Sequence, residues 1–214
     1  MLCSMDSQNP HVLYFTDPMC SWCWGFAPVI QQIRDGMAEQ LPVRVVAGGL
    51  RAGETRGMNA AMRATILHHW REVHKATGQP FKFDDALPDG FIYNTEPACR
   101  ALVTARELEP ASTLHFLHHL HDAFYAQGRD ITDAQILAAV AESTGVERER
   151  FLNAFSSDDM QQTVKADFEL KERHGVMGFP TLMLWTGQRY RILTIGWQPA
   201  EPLLENIRRL LGKA

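Results

Sequence analysis

Asp17-Pro18-Met19-Cys20-Ser21-Trp22-Cys23-Trp24-Gly25-Phe26 sets two cysteines three residues apart where one structural pattern gives way to another. Upstream, His11–Thr16 (HVLYFT) is a short run of β-formers without polar alternation, which predicts a strand buried on both faces. Asp17-Pro18-Met19 breaks it. Downstream, Phe26, Ile30, Ile33 and Met37 recur at spacings of three and four, predicting a helix from about Cys20 to about Gln40. Pro28 lies inside that helix and should kink it by removing one backbone bond. Val43–Ala47 (VRVVA) reads as a second strand, ended by Gly48-Gly49. Strand, helix and strand within about 40 residues make a βαβ unit with a parallel pair and a right-handed crossover.

The far end has another order. Thr181–Trp185 (TLMLW) reads as a strand and Gly187-Gln188 as a turn. Arg189–Ile195 follows as an edge strand whose alternation slips midway, as at a bulge. Pro199–Leu211 is then a closing helix with Leu203, Ile207 and Leu210 inward and Gly212 as its stop. Between the halves the period is helical almost throughout. Its stripes are Met58/Met62/Trp70/Val73, Leu102/Ala105/Leu108, Leu114/Leu117/His121/Phe124, Ile136/Val140 and Val164/Phe168. The expected fold is therefore α/β, a βαβ…ββα sheet domain (10–52 plus 175–214) with an all-helical domain (53–174) inserted between its halves.

The chemistry is expected at the cysteine pair. The first turn of a helix carries unpaired N–H groups and the positive end of the dipole, so a thiolate is favoured there. Cys20 should thus have a lowered pKa and lie exposed at the strand's carboxyl end. Cys23, one turn on and on the same side, is close enough to close a disulfide onto it. Cys20 is the expected nucleophile and Cys23 the thiol that resolves the mixed disulfide. A half zinc site would want a second Cys/His pair at comparable spacing, and Cys3 and Cys99 are not paired; a chance pair of buried cysteines fits the strand–helix junction less well. Pro180, immediately before an apolar strand, cannot join the ladder through its own nitrogen. A cis Phe179–Pro180 bond would fold that loop beside the cysteines and free Phe179 backbone groups for an extended substrate. A trans bond would merely begin the strand. Trp22, between the cysteines, is expected to be exposed to an apolar substrate segment, with Trp24 and Phe26 packed against the helical insertion.

These pieces together resemble the DsbA-like branch of the thioredoxin superfamily, and within it the cytoplasmic FrnE-type subgroup. The resemblance rests on Asp17–Phe26, on Gly175-Val176-Met177-Gly178-Phe179-Pro180-Thr181-Leu182, and on the helical insertion between them. It implies a thioredoxin-like sheet, a cis-proline at Pro180 and dithiol–disulfide exchange. Two departures stand out. Tyr14 occupies the position where such enzymes usually carry a buried carboxylate that accepts the resolving thiol's proton, so solvent or another group must take the Cys23 proton. Ser21-Trp22 replaces the Pro-His pair of the strongly oxidising members.

Other signals are weaker. Cys99 falls in the first turn of a helix capped by Asn94 or Thr95; it reads as a small buried hydrophobe, with a third redox thiol or a glutathionylation site as the alternative. Cys3 reads as incidental. His68, His69 and His74, and then His115, His118, His119 and His121, read as a solvated or interhelical polar face. The i,i+4 spacing of His115 and His119 can chelate zinc, but no HExxH pattern accompanies it, and no metal is expected.

Composition limits the partners. Lys and Arg number 21 against 25 Asp and Glu, a net charge of −4, which argues against a nucleic-acid surface. No apolar run reaches membrane-spanning length. The first ten residues show no basic stretch ahead of an apolar one, so no secretory signal is read there and a reducing cytoplasm is expected. The expected activity is a protein thiol–disulfide reductase or isomerase acting on protein or peptide thiols and disulfides, with no cofactor and with glutathione as a co-substrate at most. The alternative is a glutathione-dependent isomerase or transferase of the kappa or hydroxychromene-carboxylate isomerase kind. Oligomeric state is left open.

Overall fold

The computed structural model of the chain describes residues 9–37 and 41–212. Cys3 and the expected end of the first helix at Gln40 lie outside the described residues. Four strands form one sheet in the order β2-β1-β3-β4: β1 His11–Thr16, β2 Val43–Ala47, β3 Thr181–Trp185 and β4 Tyr190–Ile195. β1 runs parallel to β2 and antiparallel to β3, and β3 pairs antiparallel with β4. Leu182 faces Thr194 while Met183 faces Ile192, so Leu193 is the extra residue of a bulge where the alternation of β4 slips.

All six residues of β1 are buried, and their alternation divides them between two cores. Val12 and Tyr14 point to a face covered by α1 (Ser21–Met37) and α8 (Ala200–Leu210), through Phe26, Ile30, Ile33, Leu203 and Ile207. Leu13 and Phe15 point to the other face, where they meet Val46, Val176 and Met183, with Leu170 of α7 (Asp158–Arg173) packed on them. The residues expected in a separate insertion therefore include α7, which serves as the sheet's second cover. An amphipathic stripe reports that a helix buries one face, not which partner it meets.

The rest of the middle segment is α2 (Ala60–Thr77), α3 (Glu96–Leu108), α4 (Thr113–His121), α5 (Ala134–Ser143) and α6 (Arg148–Phe155), with a π-helical turn at Asp122–Ala126. Its core is continuous with that of α1: Trp70 stacks edge-on against Phe124 and Tyr125 and tilts over Phe81. Met58, read as the start of a helical stripe, is buried but precedes α2, because Asn59 caps that helix by accepting the Met62 N–H. At α3 Thr95 holds the N-cap position, as one of the two expected caps, but its side chain makes no cap bond. Thr95 Oγ1 accepts from Arg51 N instead, and Asn94 Oδ1 accepts from both Glu96 N and Gly53 N, tying α3 to the segment after β2.

The outer edge of β2 is closed by an ion pair. The Asp167 carboxylate accepts the Ala47 N–H at 2.7 Å, and Arg106 Nη1 donates to the Val45 carbonyl at 2.8 Å. Arg106 and Asp167 also bind each other at 2.7 and 3.2 Å. Two side chains thus take the place of a further strand on this edge.

Candidate active site

Cys20 sits at the N-cap of α1. Its carbonyl accepts from Cys23 N at 2.9 Å and Trp24 N at 3.1 Å, and its own N–H closes a turn onto Asp17 O at 3.0 Å. The side chain was expected to be exposed. It is 7 % exposed, because Trp22, Tyr93 and Phe179 stand around it on a cavity of about 240 Å³. Trp22 is itself half-buried in that wall rather than free in solvent.

The Phe179–Pro180 peptide bond is cis, and the Cys20 thiol donates to the Phe179 carbonyl at 3.6 Å. The loop reaches this position through Gly48: a Cβ there would lie 2.3 Å from Phe179 Cζ, so only glycine leaves room for the ring. Cys23 is wholly buried. Burial pushes its thiol well above the ordinary range, and the neighbouring Cys20 sulfur adds to the rise. The pair is therefore asymmetric, with Cys20 at a cavity wall and Cys23 behind it.

Sequence reasoning treated Asp17 only as a strand breaker. It is wholly buried, and its carboxylate accepts from Met19 N at 2.8 Å, Leu50 N at 2.7 Å and the Cys99 thiol at 3.3 Å. Burial raises its pKa, and these hydrogen bonds oppose the rise. The signal was legible in principle, since an Asp at i that binds the N–H of i+2 is an Asx turn. Cys99 is buried as expected, yet it also supplies one of the Asp17 contacts, and burial followed by the Asp17 charge holds its thiol protonated. Tyr93 Oη donates to Met19 O at 2.6 Å, bracing the segment before Cys20 from the helical side.

Trp24 packs against the helical segment, its indole N–H on Pro80 O at 3.0 Å and its ring 5.4 Å from His118. Phe26 instead meets Tyr14 of β1, at 5.8 Å between centroids. The histidines were expected on a solvated or interhelical polar face; His68, His69 and His74 of α2 and His115 and His118 of α4 are exposed. His121 departs from this. It is wholly buried, and its Nε2 lies 3.5 Å from Asp17 O. His115 and His119 meet through their Nε2 atoms at 3.0 Å. Among the described residues no three His, Cys, Asp or Glu side chains are grouped as a metal site would require. No helix among them is long and apolar enough to cross a membrane.

A solved candidate protein disulfide isomerase from Nitrosomonas europaea superposes with a TM-score of 0.87 at 42% identity, covering 95% of this chain and 96% of that one. The cytosolic disulfide reductase DsbM from Pseudomonas aeruginosa does so with a TM-score of 0.77 at 25% identity, over 95% of this chain and 100% of its own. DsbM has also been solved with GSH. Among curated proteins, the ClpXP adapter protein SpxH of Halalkalibacterium halodurans is 25% identical over 86% of this chain, which spans 64% of that relative's length. The family model for the DSBA-like thioredoxin domain matches residues 11–208. With nearly the whole sheet and its helical segment inside that match, the chain belongs to the DSBA-like thioredoxin domain family.

Proposed function

We propose that this protein is a thiol–disulfide reductase or isomerase in which Cys20 attacks and Cys23 resolves. The observation that carries the proposal is the asymmetry of the pair: Cys20 lines a cavity and touches the Phe179 carbonyl, whereas Cys23 has no exposed surface. The Cys20 thiolate attacks a substrate disulfide R–S–S–R′, forming Cys20–S–S–R and releasing R′S⁻. Cys23 then attacks Cys20 Sγ, forms the Cys20–Cys23 disulfide and releases RS⁻. Two glutathione thiols restore the dithiol and leave as one disulfide. Arg51 and His69 line the same cavity and offer donors to the carboxylates of glutathione or of a peptide; the DsbM structure with GSH supports glutathione as the co-substrate. Trp22, Phe179 and Pro180 form the proposed substrate contact.

Reduction or isomerisation, rather than net oxidation, suits a glutathione-poised cytosol. Likeness to cytosolic DsbM supports that compartment. In a disulfide-exchange assay, Cys20→Ser should abolish turnover, whereas Cys23→Ser should still attack substrate through Cys20 and should accumulate mixed disulfides visible by mass. Equal residual turnover in both variants refutes the assignment. A glutathione transferase or isomerase would keep full turnover in Cys23→Ser, and a non-catalytic adapter would bind its partner equally well without either thiol.

A further inference from the structure

The proposed mechanism leaves the proton of Cys23 unplaced, and it rests on a wholly buried thiol. Tyr14 stands where a carboxylate would otherwise take it. Cys23 faces the Tyr14 and Thr16 hydroxyls and the Asp17 backbone N–H. Thr16 Oγ1 donates to Tyr14 Oη at 3.1 Å, and both side chains are wholly buried within the fold. Burial raises the Tyr14 phenol well above its ordinary value, with the Cys23 charge adding to the rise, so Tyr14 never accumulates as tyrosinate.

Tyr14 also reaches a second cavity. This space, about 600 Å³, lies between α1 and α4 and shares no lining residue with the cavity at Cys20. Its walls are largely apolar, including Ala27, Ile30 and Leu117. Several of its polar groups are already occupied: Gln31 and Arg34 bind the Asp35 carboxylate, and Gln79 Nε2 binds Trp24 O. At its buried end stand Tyr14 and His121. His121 Nε2–H is directed to Asp17 O, which leaves Nδ1 as an acceptor, and that buried atom has no protein partner. A water molecule meets the need of such an atom in a space this large. The charged and titratable groups lining this cavity are Tyr14 and His121 at its buried end and Arg34, His115 and His118 at its rim, with Cys23 and Cys20 acting on Tyr14 from its other side.

We propose that the Cys23 proton leaves through the α1–α4 cavity, passed by the Tyr14 hydroxyl to water held at His121 Nδ1. The step balances as follows. Cys23 Sγ–H gives its proton to Tyr14 Oη while Tyr14 gives its own to the water. Cys23 Sγ bonds to Cys20 Sγ, the Cys20–substrate S–S bond breaks, and the substrate sulfur departs as a thiolate that takes a proton from solvent. Reduction of the Cys20–Cys23 disulfide by glutathione runs the same path inward.

The inference rests on the roles proposed for Cys20 and Cys23, and the experiment separates the two. Ellman's disulfide is mixed with reduced protein in a Cys3→Ser background under stopped flow. The first release of thionitrobenzoate reports attack by Cys20, and the second reports resolution by Cys23. In Tyr14→Phe the first phase should stay within about twofold while the second slows by about 10-fold or more, the scale of a lost proton relay. The slowed phase should also become dependent on imidazole concentration, which packing damage alone would not cause. Ala27→Leu, which narrows the cavity without touching Tyr14, should slow the second phase alone. An unchanged second phase in Tyr14→Phe, or equal slowing of both phases, overturns the outlet. A first phase that survives Cys20→Ser, or a second that survives Cys23→Ser, overturns the proposed roles instead.

Discussion

Lowering the pH should destabilise this protein chiefly through one histidine. His121 is wholly buried, with the rings of Trp24 and Tyr125 at 5.8 and 6.2 Å. Burial pushes its pKa down from 6.5 to about 3, against a weak opposing bond from the Asp17 carbonyl. The sign follows directly. Below the unfolded pKa the unfolded chain takes up a proton that the folded chain refuses, so stability falls as pH drops and levels off only near the folded value. Each pH unit in that window is worth about 1.4 kcal/mol, so at about pH 4.5 the loss should reach about 2.7 kcal/mol. Asp17 and Asp167 act in the opposite direction. Burial raises both, so their contribution is present at low pH and lost as pH rises through their folded values.

His121→Phe removes the histidine and keeps those carboxylates, so their effects cancel in the comparison. Urea unfolding of both proteins at neutral pH and at about pH 4.5 gives the difference. The wild type should lose about 2–3 kcal/mol more than the variant over this interval. Parallel losses would refute the reasoning, since they would mean that His121 is protonated in the folded chain near its ordinary pKa.

Two further outcomes test the frame around the site. Asp167→Asn leaves the Arg106 guanidinium facing a neutral partner at the β2 edge, and should cost about 3 kcal/mol in urea unfolding; a loss below about 1 kcal/mol would show the pair to be ornamental. Gly48→Ala places a methyl 2.3 Å from Phe179 Cζ. The ring, a side-chain end, can swing aside at a cost of about 1 kcal/mol or less, so stability should hold while turnover of a peptide disulfide falls severalfold and attack on a small disulfide does not. Equal turnover of both substrates would separate Phe179 from substrate contact.

Patterns that depend on local spacing were legible in the sequence. The unbroken apolar run of β1, the slip in β4 and the junction holding Cys20 all follow from side-chain alternation and helix periodicity. What spacing does not carry is the identity of a distant partner. Asp17 looked like a breaker because its Leu50 and Cys99 contacts lie 33 and 82 residues away. His121 fell both on the helical stripe Leu114/Leu117/His121/Phe124 and among the histidines read as a polar face; spacing put it inward, whereas residue type announces polarity and not burial. Its burial follows from where α4 docks on α1, in line with Leu117. Cys20 was expected in the open because a helix start is ordinarily exposed; Tyr93 and Phe179, remote in sequence, cover it.

The same long-range contacts decide what the helical segment is for. If it were an appendage, the cavity beside Cys20 would be walled by the sheet domain alone. Instead Ile66, His69 and Trp70 of α2 and Tyr93 before α3 complete it. Tyr93 and Cys99 further bind the Cys20 segment and the Asp17 carboxyl, so the wall and the reactive loop share one buried polar joint. Under the proposed mechanism, a substrate that reaches Cys20 would fit against α2 while its backbone meets Phe179. In the proposed mechanism, attack chemistry would belong to the helix start of α1, and discrimination between substrates to α2 and to Leu50 and Arg51. Changes in α2 should alter which disulfides are accepted without altering how Cys23 resolves them.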